Sequence, residues 1–195
     1  MAKDIRYTIF RTNWGYFGLM GTPEVLTRTF LPVSSRSKAK QMLLAHRPQA
    51  RYDSGLFFGL QEKIRSYFRG KCADFVSVPV DLGDFSAFAG KVLSACGRIG
   101  YGQTVSYTQL AQRAGAPKAV RAAGSVMAKN PIPLIIPCHR IIRSDGSIGN
   151  FSAGGGRNLK KKLLDLEAQN HLQPFSTLPE SDQQAGREFF TETKH

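Results

Sequence analysis

Cysteine and long apolar runs are both scarce in this chain of 195 residues. It has three cysteines, Cys72, Cys96 and Cys138, with no Cys-x-x-Cys pair, which excludes a disulfide framework and favours a reducing compartment. No run of about 18 apolar residues is present, so we expect no transmembrane helix. The first residues lack the apolar stretch of a signal peptide, so we expect a cytoplasmic protein.

Acidic residues are scarce as well, and the shortage is concentrated in one segment. The chain has 27 Lys and Arg against 14 Asp and Glu, a net charge of +13. Residues 98–162 hold eleven of the basic residues and a single acid, Asp145, whereas residues 163–195 sum to −4. A basic segment of this kind attracts polyanions and favours a nucleic-acid partner. A solvated basic surface explains the charge equally well.

The sequence pattern predicts an α/β protein in three parts. Residues 1–83 mix aromatic and β-branched stretches with helical spacing, which predicts a small α/β domain. Residues 84–172 change to helical spacing and predict a mainly helical domain. Residues 173–195, with prolines and mixed charge, predict a flexible tail.

Within the first part, the pattern predicts a small antiparallel sheet followed by helices at 37–46 and 56–68. A last strand is predicted at 75–82, where Pro79 favours the edge of the sheet.

The second part contains a helix-turn-helix pattern. Ser106 is a good N-cap for the first helix, Gly115 breaks it, and an alanine-rich helix follows to about Met127. The second helix has a nearly bare surface apart from Arg121. Small residues permit the backbone to come close to another surface. Tight packing against another helix would explain the alanines, but it explains Arg121 less readily.

The stretch NPIPLIIPCHRII places a thiol and an imidazole side by side at Cys138 and His139. Residues 134–136 form an apolar run typical of a strand, and Pro137 should stop that strand and turn the chain. The turn matters because neighbouring side chains of a straight strand point to opposite faces.

The residues around Cys138 favour its activation as a nucleophile. A thiol reacts as the thiolate, so His139 could take its proton, while Arg140 and Arg143 would favour the anion. Glu167 lies on the margin of an apolar helical stripe, where a carboxylate needs a partner, and could orient the histidine.

The sequence PIPLIIPCHRII, preceded by RAAGSVMAKNP and followed by GNFSAGG, closely resembles the active-site signature of the methylated-DNA–protein-cysteine methyltransferases. The match covers about residues 85–167. It implies a ribonuclease H-like N-terminal domain and a C-terminal domain with a helix-turn-helix. It also implies repair of double-stranded DNA by irreversible, single-turnover transfer of an alkyl group from O6 of guanine, and less efficiently from O4 of thymine.

The resemblance assigns roles to individual residues. Cys138 would accept the alkyl group after the nucleotide flips out of the duplex, with His139 as the base through a water and Glu167 behind it. Asn130 would brace the turn, and Tyr107 would supply a proton to the leaving guanine.

The remaining assignments concern DNA and the base pocket. Arg121 would fill the gap left by the flipped nucleotide, and the resemblance adds Tyr107, Thr108 and Ser144 as DNA contacts. The base and alkyl pocket would be formed by Ser152, Phe151 and Pro133.

The resemblance also concerns cofactors, protein partners and metal ions. No cofactor or obligate protein partner is expected, so the protein would act as a monomer with the DNA, in the cytoplasm or in a eukaryotic nucleus. Some family members bind zinc in the N-terminal half, but His46, Cys72 and Cys96 lack a ligand spacing, so we predict no metal.

Two other functions stay open at this point. A thiol hydrolase could use Cys138 and His139, but it would give no role to Arg121 or to the helix-turn-helix. A lesion-binding protein without chemistry would use the DNA-binding features, but sensors that resemble this family lack the cysteine.

Overall fold

A four-stranded sheet forms the N-terminal half of the computed structural model, which describes residues 4–45 and 47–171. Its strands are β1 (Arg6–Thr12), β2 (Gly15–Gly21), β3 (Leu26–Val33) and β4 (Arg51–Tyr52). The first three form an antiparallel meander, and β4 pairs with β1 in parallel, which gives the order β3-β2-β1-β4.

The tight turn between β1 and β2 depends on Gly15. Its φ of +123° is unfavourable for other residues, and a Cβ there would lie 2.5 Å from the carbonyl oxygen of Val33. The Thr12 hydroxyl closes the turn, because it donates to the Gly15 carbonyl at 2.9 Å and accepts from the Trp14 N–H at 3.2 Å.

Successive side chains along a strand point to opposite faces of the sheet, and here both faces are buried. Helix α1 (Arg36–Leu44) covers one face, where Ala39 and Leu43 pack in a cluster with residues such as Ile9 and Met20. The opposite face presents Phe17 and Leu19 to a larger core.

The regular elements in the remaining described residues are mostly helices. They are α2 (Phe58–Tyr67), α3 (Ala87–Gly97), β5 (Val105–Ser106), α4 (Tyr107–Arg113), α5 (Val120–Ala128), a 3-10 helix (Cys138–Arg140), β6 (Ile141–Ile142) and α6 (Gly156–His171). Strands β5 and β6 pair in parallel. The larger core joins the halves, because Phe17 and Tyr67 belong to the same cluster as Val92 and Ile135.

Several predicted elements are confirmed. The helix predicted at 37–46 is α1, the helix predicted at 56–68 is α2, and Ser106 caps α4. The Ser106 hydroxyl accepts from the Gln109 N–H at 3.1 Å, and the Gln109 side chain accepts from the Ser106 N–H at 2.7 Å. This reciprocal capping box fixes the start of the helix.

The strand predicted at 75–82 is wrong. Only Val80 pairs with the sheet, as an isolated parallel bridge to Leu26. Pro79 has no N–H to extend the ladder, although its carbonyl accepts from the Leu26 N–H at 2.9 Å. Apolar residues here pack against the core from an irregular segment.

The strand predicted at 134–136 is also wrong. Leu134 has a φ of +78°, which breaks an extended conformation, and the Ile136 N–H returns to the Ile132 carbonyl at 2.9 Å. These residues form a tight, buried turn that leads to Cys138.

Two predictions concern where the domains of the chain end. The predicted tail at 173–195 lies outside the described residues, and the boundary near residue 84 stays a prediction. None of the helices in the described ranges has both the length and the apolar character that crossing a bilayer requires.

Strand β3 holds the loop that leads to Cys138. The backbone N–H of Thr29 donates to the Pro131 carbonyl at 3.0 Å, and its hydroxyl donates to the Pro133 carbonyl at 2.7 Å. Thr29 is 4% exposed, so both bonds are shielded from water.

Replacing Thr29 by valine should lower the free energy of unfolding by about 1–3 kcal/mol, because the buried Pro133 carbonyl would lose its donor. Urea unfolding measures the change. Thr27→Val is the matched control on the same strand, since its bond to the Met20 carbonyl is only partly buried and water can replace it. Equal losses in the two variants would contradict a special role for the Thr29–Pro133 bond.

Candidate active site

Cys138 begins the 3-10 helix at the end of a braced turn. Its N–H donates to the Ile136 carbonyl at 2.8 Å. The Asn130 amide spans the turn, because its nitrogen donates to the same Ile136 carbonyl at 2.8 Å and its oxygen accepts from the Ile132 N–H at 3.0 Å. The position of the thiol is therefore set by a side chain eight residues earlier in the sequence.

The Cys138 thiol is 6% exposed. Burial raises its pKa, while a hydrogen bond from Asn130 and the positive charge of Lys160 act in the opposite direction. The thiol is thus a protonated group that needs a base before it reacts as a thiolate.

His139 and Glu167 form a buried hydrogen-bonded pair, with His139 Nε2 2.9 Å from Glu167 Oε1. Burial lowers the pKa of His139, and its bond to Glu167 opposes the change only in part. A neutral imidazole facing a carboxylate donates through Nε2–H. Its Nδ1 atom has no hydrogen-bond partner among the described residues and can accept a proton.

Glu167 collects donors from several segments. Its carboxylate accepts from the Tyr67 hydroxyl at 2.7 Å, from the Gly102 N–H at 3.0 Å and from Arg140 Nη2 at 2.9 Å, besides His139. Burial favours the neutral acid, but the bonds from His139 and Arg140 outweigh it and lower the pKa of Glu167 to about 2. The carboxylate is therefore charged at neutral pH.

Arg140 serves a different purpose from the one expected. Arg140 is 4% exposed and its guanidinium pairs with Glu167, while Nη1 donates to the Ile99 carbonyl at 2.6 Å. The expectation that Arg140 favours the thiolate is thus corrected, since its charge balances the carboxylate behind His139. Lys160 is the cation that lowers the pKa of Cys138.

Two cavities meet at Cys138. One has a volume of about 200 Å³ and is lined by Tyr107, Phe151 and Ser152. The other has a volume of about 250 Å³ and extends past Pro133 towards β3. The structure thus brings together the thiol and all the residues predicted for the base and alkyl pocket.

Close backbone approach positions two of the lining residues. A Cβ on Gly149 would lie 3.2 Å from the Tyr107 ring, and one on Gly124 would lie 3.8 Å from it, so α5 and the loop after β6 hold the ring between them. Ser152 donates to the Ala128 carbonyl at 2.6 Å. Burial raises the pKa of the Tyr107 hydroxyl, which keeps it a proton donor at neutral pH.

The other predicted DNA contacts lie away from the thiol. Arg121 is exposed on α5. The hydroxyls of Thr108 and Ser144 lie 3.3 Å apart on the exposed surface beside the start of α4. None of the three lines either of the cavities at Cys138.

Two residues of the site were missed from the sequence. Lys160 is fully buried, donates to the Ile141 carbonyl, and its ammonium lies 5.9 Å from the ring centres of both Tyr107 and Phe151. It belongs to a run of three lysines, a pattern typical of a solvated surface. Tyr67 has no signal beyond the apolar spacing of α2.

The described residues contain no group of three His, Cys, Asp or Glu side chains placed to hold a metal ion. His46 lies outside them, so the absence of metal stays a prediction.

Comparisons with known proteins identify related sequences and structures. Residues 87–169 match the family model described as 6-O-methylguanine DNA methyltransferase, DNA binding domain. The methylated-DNA–protein-cysteine methyltransferase of rat is 57% identical over 76 residues, which cover 39% of this chain and 36% of the rat protein. The match therefore spans about a third of that relative.

Mycobacterial relatives match over a longer region. The methylated-DNA–protein-cysteine methyltransferase of Mycobacterium tuberculosis is 41% identical over 115 residues, 59% of this chain and 67% of that protein. A crystal structure of the M. tuberculosis protein in complex with DNA superposes with a TM-score of 0.71 at 34% identity, covering 85% of this chain and 94% of that one.

Fold and site together define a mixed α/β protein with a buried thiol beside a histidine–carboxylate pair. The chain belongs to the methylated-DNA–protein-cysteine methyltransferase family.

Replacing Glu167 by glutamine should destabilise the protein by about 3–5 kcal/mol at neutral pH, because Arg140 would be left buried without its counter-charge. The native pKa of Glu167 lies below its usual 4.5, at about 2. The carboxylate thus contributes its full stability above the unfolded pKa, and that contribution is lost as the pH falls through the native value.

The stability difference between the wild type and Glu167→Gln should therefore shrink by about 3 kcal/mol as the pH falls from about 4.5 to about 2. Urea unfolding at a series of pH values measures it. Glu62→Gln is the control, since Glu62 pairs with Arg65 on the surface and should show little difference at any pH. A pH-independent difference for Glu167→Gln would contradict the depressed pKa.

Proposed function

We propose that this protein repairs alkylated DNA directly, by irreversible transfer of an alkyl group from O6 of guanine to the sulfur of Cys138. The observation that carries the proposal is the position of the Cys138 thiol, where two cavities meet, next to a neutral histidine tied to an ionised carboxylate. The names of the relatives support the reaction, and the DNA complex of the mycobacterial protein supports DNA as the partner.

The activation step uses the neutral imidazole. His139 takes the thiol proton at Nδ1 through a bridging water, and the resulting imidazolium is stabilised by Glu167. Arg140 keeps Glu167 ionised, so the carboxylate orients the ring without taking the proton itself. Asn130 keeps the Cys138 turn in place and favours the thiolate.

The transfer step forms a carbon–sulfur bond and breaks the bond between carbon and O6. The electron pair goes to the guanine, which takes a proton from Tyr107 as it leaves. The Tyr107 phenolate then regains a proton from solvent, and the His139 imidazolium releases one, so the protons balance. Phe151 and Pro133 line the space around the alkyl group, and Ser152 contacts the extruded base. The thioether product is not cleaved by water, so each protein molecule acts once. The O4 of alkylated thymine offers the same chemistry and is a proposed second, weaker substrate.

The DNA-binding surface is proposed to be the α4–α5 pair, acting as a helix-turn-helix. The alanine-rich helix α5 permits close approach to the minor groove, Arg121 enters the base stack, and Thr108 and Ser144 contact the backbone. An inserted side chain offsets part of the few kcal/mol that nucleotide flipping costs. We also propose that the N-terminal half has a ribonuclease H-like fold. The protein is proposed to act as a monomer in the compartment that holds the DNA, which is the cytoplasm or a eukaryotic nucleus.

Incubation with a duplex carrying O6-methylguanine should raise the intact mass of the protein by one methyl group. Cys138→Ser should stay unmodified, because a hydroxyl does not replace the thiolate, while Cys72→Ser should react like the wild type since Cys72 lies outside both cavities. Intact mass spectrometry and analysis of the DNA give both readouts. Repaired DNA with unmodified protein would indicate a hydrolase, and unrepaired DNA bound by unmodified protein would indicate a sensor.

Arg121→Ala should slow repair of duplex DNA by on the order of tenfold or more and leave the reaction with free O6-methylguanine base unchanged, because only the duplex requires nucleotide flipping. Single-turnover rates on both substrates measure the difference. Arg98→Ala removes an equal charge from an exposed position outside α4 and α5 and serves as the control. Equal slowing of both substrates by Arg121→Ala would contradict its proposed insertion into the stack.

A further inference from the structure

Arg28 is a half-buried arginine of β3 whose side chain forms no hydrogen bond or ion pair with any described residue. Burial lowers the pKa of its guanidinium, and the neighbouring charge of Arg47, which has the same sign, lowers it further. A guanidinium with several donors and no acceptor is costly at such a position, and an anionic ligand would satisfy it. Its place on β3 explains why no motif around Cys138 points to it.

The space that Arg28 lines is the second of the two cavities at Cys138. Its apolar walls come from Leu31, Val33 and Met42 on the N-terminal side and from Pro133 on the other. The volume of about 250 Å³ far exceeds the need of a methyl group, which is about the size of a water molecule, roughly 30 Å³. Phe151 lines the other cavity and Pro133 lines this one, while Cys138 lines both, so a transferred group larger than a methyl has room to extend from the sulfur into this cavity.

We propose, resting on the function proposed above, that Arg28 determines specificity by binding the carboxylate of O6-carboxyalkylguanine, so that the protein repairs anionic alkyl lesions as well as neutral ones. The apolar walls accommodate the methylene carbon, and the guanidinium binds the carboxylate beyond it. Arginine suits this role, because its planar fork matches a carboxylate in a bidentate arrangement.

The chemistry needs no additional reactant. The Cys138 sulfur attacks the methylene carbon bonded to O6, the carbon–oxygen bond breaks, and its electron pair goes to the guanine. The proton lost by the thiol is balanced by the proton that guanine takes up. The carboxylate keeps its charge throughout, so Arg28 pairs with it in the lesion and in the S-carboxyalkyl product alike.

A DNA phosphate is the other anion that could meet Arg28. The proposed DNA surface lies on α4 and α5, whereas Arg28 shares a cavity with Cys138 itself, and this favours a group attached to the reacting carbon. The two sources are separable, because a phosphate contact acts on every duplex and a carboxylate contact acts only on the carboxyalkyl lesion.

The test compares single-turnover rates on duplexes of one sequence that carry O6-methylguanine, O6-carboxymethylguanine or its neutral carbamoylmethyl analogue. Arg28→Met should slow carboxymethyl transfer by about tenfold or more, as expected for loss of a charged hydrogen bond, and change methyl and carbamoylmethyl transfer less than twofold. Arg28→Lys should recover part of the loss. Arg47→Met removes the neighbouring charge, which does not line the cavity, and should have little effect.

The outcomes distinguish the two proposals. Wild-type protein that fails to accept a methyl group overturns the proposed function, whatever Arg28 does. Methyl transfer with no selective loss for the carboxymethyl lesion in Arg28→Met overturns the role of Arg28. Equal slowing on all three duplexes, relieved at low salt, assigns Arg28 to a phosphate and also overturns it. The methyl rate doubles as the check that each variant is folded.

Discussion

The Glu167 carboxylate bonds to three regions of the chain that lie far apart in sequence. Tyr67 comes from α2 in the N-terminal half, Gly102 from the loop after α3, and His139 and Arg140 from the turn at Cys138. At 1% exposure, a charge of this kind is stable only with every one of its lone pairs occupied. The same group therefore closes the fold and orients the base.

The charges of Arg140 and Glu167 together determine the protonation state of His139. Arg140 neutralises Glu167, so His139 can remain neutral and keep one nitrogen able to accept a proton. Had Arg140 faced the thiol instead, the buried carboxylate would have pulled a proton onto the imidazole and removed the base. Lys160 provides the positive charge that a thiolate needs. Two buried cations thus act on two separate anions: Arg140 on the Glu167 carboxylate and Lys160 on the Cys138 thiolate.

The sequence predicted the parts of the site that depend on local chemistry. Ser106 caps α4 because a hydroxyl three residues before Gln109 is a local signal, and the Cys138–His139 pair is visible in the chain itself. Glu167 was placed from the stripe of α6 and from the family resemblance. Tyr67 and Lys160 could not be predicted, because their roles arise from contacts with distant segments.

The two strands that were wrongly predicted also reflect contacts with distant segments of the chain. Residues 134–136 have a strand-like composition, yet their apolar side chains are buried in a turn that Leu134 opens with a positive φ. Residues 75–82 are apolar because they cover the core, not because they pair along a ladder. In both segments the apolar composition indicates that the side chains are buried, whereas the backbone conformation is decided by tertiary packing.

Strand β3 lies at the edge of its sheet, and the outward N–H groups of Leu26 and Thr29 are occupied by the carbonyls of Pro79 and Pro131. An uncovered edge strand is a template for pairing with another chain. The loop that leads to Cys138 is therefore also a guard against self-association. The same two bonds from Thr29 therefore hold the loop that positions the thiol and cover the edge of the sheet.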